Sequence, residues 1–392
     1  MTSSKMILEK TNKITVLFLS WRDIKSPKYG GAEICTYEMM RYADLSILRI
    51  IHFSPMFDGA NSIEYIDGIT YIRKGNILSL IWECKKFYAI NKNNIDYVVD
   101  QCNTYRFFTK FWVEHKKRIF FIHQLTREIW DVQLKFPFNK IGKLIENPML
   151  KMNKDDLTIT VSESTKKDLE AIGFKPQKIK LIQSAINFEP WNKEAFYKKE
   201  LMPTFIYVGR FAKYKGIDTC ISAFGEFKKI NNDAKLWIVG KKDDKYIERS
   251  LAPICLQYGL LIDKDIVFYG FVTEDKKLEL MSRAHLLLFP SIREGWGLII
   301  TEAAVVGTPS IVFNSPGIVD AVDFGNAGYI AKRNDYKGIC ETMVNAIEDK
   351  ITYEKMRDNA YAFSSRFKWE DTGREFTNIV LGLEKLQQGI NK

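Results

Sequence analysis

The stretch LLLFPSIREGWGLIITEAA, Leu286 to Ala304, passes from an unbroken apolar run through a glycine-flanked carboxylate into a helical pattern. Leu286–Phe289 is short and continuously hydrophobic, as a parallel strand covered on both faces must be. Pro290 and the Gly295-x-Gly297 turn end it. With a helix starting near Gly297, Glu302 lies about one and a half turns inside an otherwise apolar segment. A carboxylate there is costly unless paired or hydrogen-bonded. Two acceptor-only groups near one strand end, Glu294 and Glu302, suit a ligand rich in hydroxyls, such as a sugar and a ribose. The competing structural reading is a cap for Glu294 and a buried ion pair for Glu302.

Working outward, the same strand–turn–helix unit recurs along the chain. Thr15–Ser20, Ile47–Phe53, Tyr97–Asp100, Arg118–Ile122 and Leu157–Val161 read as strands before residue 185, and Thr204–Val208, Lys235–Val239, Ile266–Tyr269, Leu286–Phe289 and Ser310–Phe313 after 200. Helical patterns such as Ala32–Ala43, Ile217–Ile230 and Thr301–Val306 lie between them. Alternating βαβ units predict an α/β fold with doubly wound sheets. The polar, Pro-flanked segment Ala185–Pro203 breaks the series. Two Rossmann-like domains are therefore expected, 1–185 and 200–370, facing each other across a cleft at the carboxyl ends of their strands. A final helix, 371–392, is expected to cross back to the first domain, with Trp369 near its start.

Two further turns carry chemistry. Gly30-Gly31-Ala32-Glu33 follows the first strand and opens a helix, where backbone N–H groups can approach a phosphate or sugar closely. Val208-Gly209-Arg210-Phe211-Ala212-Lys213-Tyr214-Lys215-Gly216 leads a strand into a helix with two cations five residues apart. Arg210 and Lys215 suit a diphosphate, both bound and departing.

These segments, in this order, resemble the family-4 glycosyltransferases of the GT-B fold. Glu294 and Glu302 match that family's E-x7-E motif, Arg210 and Lys215 its paired cations, and Gly30-Gly31 its N-terminal glycine loop. Gly307-Thr308-Pro309 and Ser315-Pro316-Gly317 fit as well. The resemblance implies a retaining transfer of a hexosyl unit from a UDP- or GDP-linked sugar to a glycan or lipid-linked acceptor, in cell-surface polysaccharide or glycoconjugate synthesis. It gives Glu294 the hydroxyls of the donor sugar and Glu302 the ribose. Arg210 and Lys215 stand in for a metal, so no metal or other cofactor is expected. Gly209, Gly295, Trp296, Gly297 and Leu298 complete the donor site, Phe271 in Gly270-Phe271-Val272 belongs to the base-binding loop, and His123 lies near the sugar and acceptor. A sugar-nucleotide epimerase of the same fold, or a non-catalytic sugar-nucleotide-binding subunit, is the alternative.

Bulk properties narrow the partners. The formal net charge is +10, and residues 1–200 hold 32 Lys+Arg against 23 Asp+Glu, with 26 against 25 thereafter. A basic first half points to an anionic partner. Residues 101–150 concentrate this, with nine cations interleaved with Phe107, Phe108, Phe111, Trp112, Phe136 and Phe138, and Tyr105–Arg118 reads as a basic, aromatic helix able to lie on an anionic membrane. The polar opening and the lack of a long apolar span predict a cytoplasmic protein, at most peripheral on the membrane face. Six scattered cysteines without a CxxC pair imply reduced thiols rather than a metal site. No nucleic-acid motif and no G-x-G-x-x-G dinucleotide fingerprint occur, which disfavours both functions. Asp263-Lys264-Asp265 reads as solvated surface.

Overall fold

The computed structural model describes residues 7–390, so Met1–Met6 of the polar opening lies outside the described residues. The chain forms two compact units, each built on one sheet.

The first unit contains the described residues up to Leu125, Leu144–Ala185 and those from Lys368 onward. Its strands are β1 (Ile14–Leu19), β2 (Leu48–Ser54), β3 (Ile63–Ile66), β4 (Ile69–Arg73), β5 (Tyr97–Cys102), β6 (Arg118–Ile122), β7 (Leu157–Thr160) and β8 (Ile179–Leu181). Their order across the sheet is β3-β4-β2-β1-β5-β6-β7-β8. All pairings are parallel except that of β3 with β4. Leu17, Leu19, Ile51 and Phe53 pack with Leu80, Cys84 and Phe87 of the helix Leu80–Asn91. Phe120 and Ile122 pack with Leu169 and Phe174. The helix Trp369–Ile390 lies against the first helix, Gly31–Arg41, and sets Phe376 5.4 Å from Phe18.

The second unit carries β9 (Thr204–Val208), β10 (Lys235–Val239), β11 (Ile266–Gly270), β12 (Leu286–Phe289), β13 (Ser310–Val312) and β14 (Tyr329–Ile330), all parallel, in the order β11-β10-β9-β12-β13-β14. Phe205, Tyr207, Leu286 and Leu288 meet Phe224 and Phe227 of the helix Ile217–Ile230 in its core. Each sheet starts near its middle, runs to one edge, and returns beside its first strand. The direction of winding therefore reverses between β1 and β5 in one unit and between β9 and β12 in the other. In open α/β sheets, ligands bind outside the strand ends at such a reversal.

Two expectations are corrected. The boundary at 185 omits Thr126–Lys143, which packs with the second unit. Arg293 donates to Glu128 there (2.7 Å), and the short helix Ile129–Gln133 packs on the turn Lys213–Lys215. Nor is Tyr105–Arg118 a helix; it holds only two short 3-10 turns, Thr109–Phe111 and His115–Lys117. The fully buried Asp100 carboxylate accepts from Phe107 N (2.9 Å) and from Thr109 N and Oγ1 (3.3 and 2.7 Å). Capturing these N–H groups competes with the helical ladder. Phe107 is consequently a core residue, not a surface one.

Candidate active site

In the second unit, the two strands flanking the reversal supply the two motifs. β9 runs into Gly209–Gly216, which closes with the 3-10 turn Lys213–Lys215 before the helix Ile217–Ile230 begins. Gly216 has φ +74, and a Cβ on it would sit 2.3 Å from the carbonyl oxygen of Pro290 at the end of β12. Only glycine allows this turn to reach the β12 end. Lys215 Nζ then lies 2.5 Å from Glu294 Oε1, and Ser291 Oγ lies 2.7 Å from the same oxygen. Ile292 N donates to Tyr214 O (3.0 Å), which ties the two turns together through the backbone. Arg210 is exposed and donates to Tyr214 Oη (2.8 Å). Lys215 and Glu294 thus meet directly, while Arg210 is held over the same turn.

The Glu294 turn is fixed from the other side by Ser315-Pro316-Gly317. Glu294 N donates to Pro316 O (3.2 Å). Gly317, at φ +81, packs so closely that a Cβ would lie 1.8 Å from the Glu294 carbonyl oxygen. The helix Leu298–Ala304 follows, capped by Gly297 at φ +105. On its inner face Glu302 is buried and pairs with Lys277 Nζ (2.7 Å), a lysine that also reaches Glu274 (2.6 Å). Burial pushes the Glu302 carboxyl upward and Lys277 opposes it. The ion pair weighed for Glu302 is therefore present.

Other expected donor residues divide. Gly295 and Leu298 are half-buried beside Glu294, and Phe271 stands 84% exposed after β11. The Trp296 side chain is buried and packs edge-on against Phe367 at 5.1 Å, so what Trp296 presents at the Gly295-x-Gly297 turn is its backbone. Asp263-Lys264-Asp265 is not simply solvated. Asp265 is buried, pairs with Lys228 (2.8 Å) and accepts from Leu261 N (2.9 Å). Among the described residues, no group of three or more His, Cys, Asp or Glu side chains is placed to hold a metal ion.

In the first unit, Gly30-Gly31 follows β1 at the reversal, and His123 follows β6, the strand beside β5. Gly30 N donates to Glu33 Oε2 (2.8 Å), one half of a capping box since glycine has no side chain to accept in return, and that N–H is taken by a carboxylate of the protein. His123 is buried after β6, its ring 4.4 Å from Phe121, and burial pushes it down to about 4. Gln101 Nε2 lies 3.2 Å from His123 Nε2. Ser291, Tyr214, Lys277 and Gln101 were not singled out from the sequence. Ser291 and Tyr214 lie within the quoted motifs, whereas Lys277 and Gln101 acquire their roles only through tertiary partners.

Comparison with known proteins gives consistent results. The profile for glycosyl transferases group 1 matches residues 190–363, and that for glycosyltransferase family 4 matches residues 29–189. A capsular polysaccharide biosynthesis glycosyltransferase of Staphylococcus aureus is 29% identical over 232 residues, 54% of this chain and 59% of that protein. The chain spans only 56% to 59% of the length of such curated relatives. Sucrose-phosphate synthase of Thermosynechococcus elongatus superposes with a TM-score of 0.73 at 17% identity, over 97% of this chain and 100% of that one. An Anabaena protein solved with UDP and glucose superposes at 0.66 and 16% identity, over 94% of this chain and 99% of the other. At such identities the structural likeness is one of fold.

Proposed function

The chain belongs to the family-4 glycosyltransferases of the GT-B fold, and from that premise we propose that it transfers a hexosyl unit from a UDP- or GDP-linked sugar, with retention and without a metal. The observation that carries this reading is the Lys215–Glu294 pair beside Arg210, at the winding reversal between β9 and β12. A diphosphate draws Lys215 away from Glu294, and the freed carboxylate accepts hydroxyls of the sugar. Arg210 and Lys215 then face the charge that grows on the diphosphate as the anomeric C–O bond breaks. The acceptor hydroxyl attacks from the face the diphosphate leaves and passes its proton to a departing phosphate oxygen. Glu302 serves the ribose, with Lys277 holding its carboxylate in place. His123, neutral at pH 7, hydrogen-bonds the transferred sugar or the acceptor.

The part of the Staphylococcus relative in capsular polysaccharide biosynthesis supports an acceptor in surface polysaccharide or glycoconjugate synthesis, either a glycan or a lipid-linked one. The test is release of UDP or GDP from a panel of nucleotide sugars with EDTA present. Undiminished release in chelator is expected; loss of release restored by Mn²⁺ or Mg²⁺ contradicts metal independence.

We further propose a cytoplasmic enzyme that docks peripherally on an anionic membrane. No helix among the described residues is long and apolar enough to cross one. The surface differs from the segment expected at 105–118. Phe136, Phe138, Ile141 and Leu144 are exposed, Leu144 to 77%, along the start of the helix Phe138–Lys151 and the turn before it, beside Lys135 and Lys140. Each lysine near an anionic surface contributes about 1 kcal/mol. Sedimentation with anionic vesicles should fall with salt and in Lys135→Glu/Lys140→Glu; pelleting no greater than with neutral vesicles at low salt excludes docking.

A further inference from the structure

Three buried polar side chains in the first unit determine which nitrogen of His123 carries its proton. Thr36 Oγ1 donates its single hydrogen to Ala32 O (2.9 Å), one helical turn back. Its oxygen is then left as an acceptor, and the atom 2.8 Å from it is Gln101 Nε2. The Ser20 hydroxyl donates to Gln101 Oε1, which fixes the same amide orientation from the opposite end. Flipping the carboxamide would set its oxygen against an oxygen with no hydrogen to give. The second hydrogen on Gln101 Nε2 faces His123 Nε2 at 3.2 Å. That ring nitrogen must accept, and the proton of the neutral ring resides on the other one.

Ser20, Thr36 and Gln101 are each no more than 4% exposed, so water cannot replace a lost partner cheaply. The register of the sheet makes the contact: Gln101 on β5 lies opposite Phe121 on β6, two residues before His123. Thr36 and Ala32 sit on the helix that Gly30-Gly31 opens. The ring is therefore keyed to the glycine turn through one carboxamide. Its backbone is held separately, by Thr165 Oγ1 donating to His123 O (3.1 Å).

We propose that Gln101 is a positioning residue for the transfer: locked by Ser20 and Thr36, it holds His123 as the Nδ1–H tautomer, so that the ring offers a substrate oxygen a donor at Nδ1. The proposal rests on the reading of His123 as a substrate-contacting group, but the tautomer can be read without turnover. The chain has four histidines, so ¹⁵N-histidine labelling gives a small set of ring signals, and His123→Asn assigns the one needed. At pH 7 the wild-type ring should show a protonated Nδ1 and an unprotonated Nε2. In Gln101→Glu a carboxylate faces Nε2 and the proton should move there. In Gln101→Leu, which adds no charge, the single Nδ1–H pattern should be lost. Both variants should lower kcat/KM by about tenfold. A protonated Nε2 in the wild type, or an Nδ1–H pattern unchanged in both variants, overturns the assignment. A side chain that only fills space would leave the pattern unchanged. A correct tautomer in a protein that transfers no sugar would instead contradict the proposed function and leave the Gln101 assignment standing.

Discussion

Glu294→Ala is expected to lose nearly all transfer while keeping the fold. The side chain lies on a turn, 13% exposed, and pairs with Lys215 and Ser291 rather than with apolar core groups. Truncation removes no side chain from either sheet's packing; Lys215 can turn toward solvent and the buried Ser291 hydroxyl keeps Tyr214 O as an acceptor (3.1 Å), so stability should change by less than about 1 kcal/mol. Catalysis has no such compensation. Hydrogen bonds to a charged acceptor contribute roughly 1.5–3 kcal/mol each, and losing two to sugar hydroxyls corresponds to about a hundredfold or more in rate. Initial rates with the preferred donor, alongside thermal unfolding, check this. Retention of more than about a tenth of the wild-type rate, equivalent to roughly 1.4 kcal/mol or less, removes Glu294 from the mechanism.

Gly317→Ala should be nearly as damaging, although Gly317 presents no side chain to any substrate. The added methyl would fall 1.8 Å from the Glu294 carbonyl oxygen, and both partners are backbone, so no side-chain rotation relieves the clash. The left-handed φ adds about 1–2 kcal/mol for any residue with a Cβ. The Glu294 turn has to shift, and a displacement of about 1 Å at a reacting centre can cost about a hundredfold. Gly325→Ala is the matched control. Its φ is also positive, at +101, but the nearest heavy atom to a new Cβ is Ile330 Cδ1 at 3.7 Å. Both variants should lose some thermal stability, and only Gly317→Ala should lose turnover. Equal turnover in the two would show that the approach of Gly317 does not set the Glu294 geometry.

Much of this architecture was legible because buried parallel strands announce themselves as short apolar runs. TFIYV, KLWIV and LLLF became β9, β10 and β12 with the expected bounds. The strands left out lie at the sheet edges or, for β4, next to one. β8 and β14 are three and two residues long, too short for periodicity to speak. The β3–β4 hairpin alternates exposed and half-buried residues along β3, and only Asp67-Gly68 between the two runs marks it in the sequence, as a turn signal. The helix expected at 105–118 failed because its pattern was weighed without Asp100, a buried acceptor that only the fold brings beneath those N–H groups. The site divides in the same way. Glu294, Arg210 and Lys215 stand in local turns whose chemistry sequence spacing conveys. Lys277 and Gln101 lie on elements remote in sequence from the residues they serve, and nothing local distinguishes them from an ordinary surface lysine or strand glutamine.

The most direct measurement of the central claim is calorimetric binding of UDP and GDP to the wild-type protein, Arg210→Ala and Lys215→Ala, all in EDTA. On the proposed reading two cations on the Gly209–Gly216 turn hold the diphosphate, and a charged hydrogen bond to phosphate is worth roughly 1.5–3 kcal/mol. One of the two nucleotides should therefore bind the wild type without metal, and each substitution should weaken it by about tenfold or more. Failure of both nucleotides to bind in chelator, or affinity unchanged in both variants, would contradict the assignment of this turn as the donor diphosphate site.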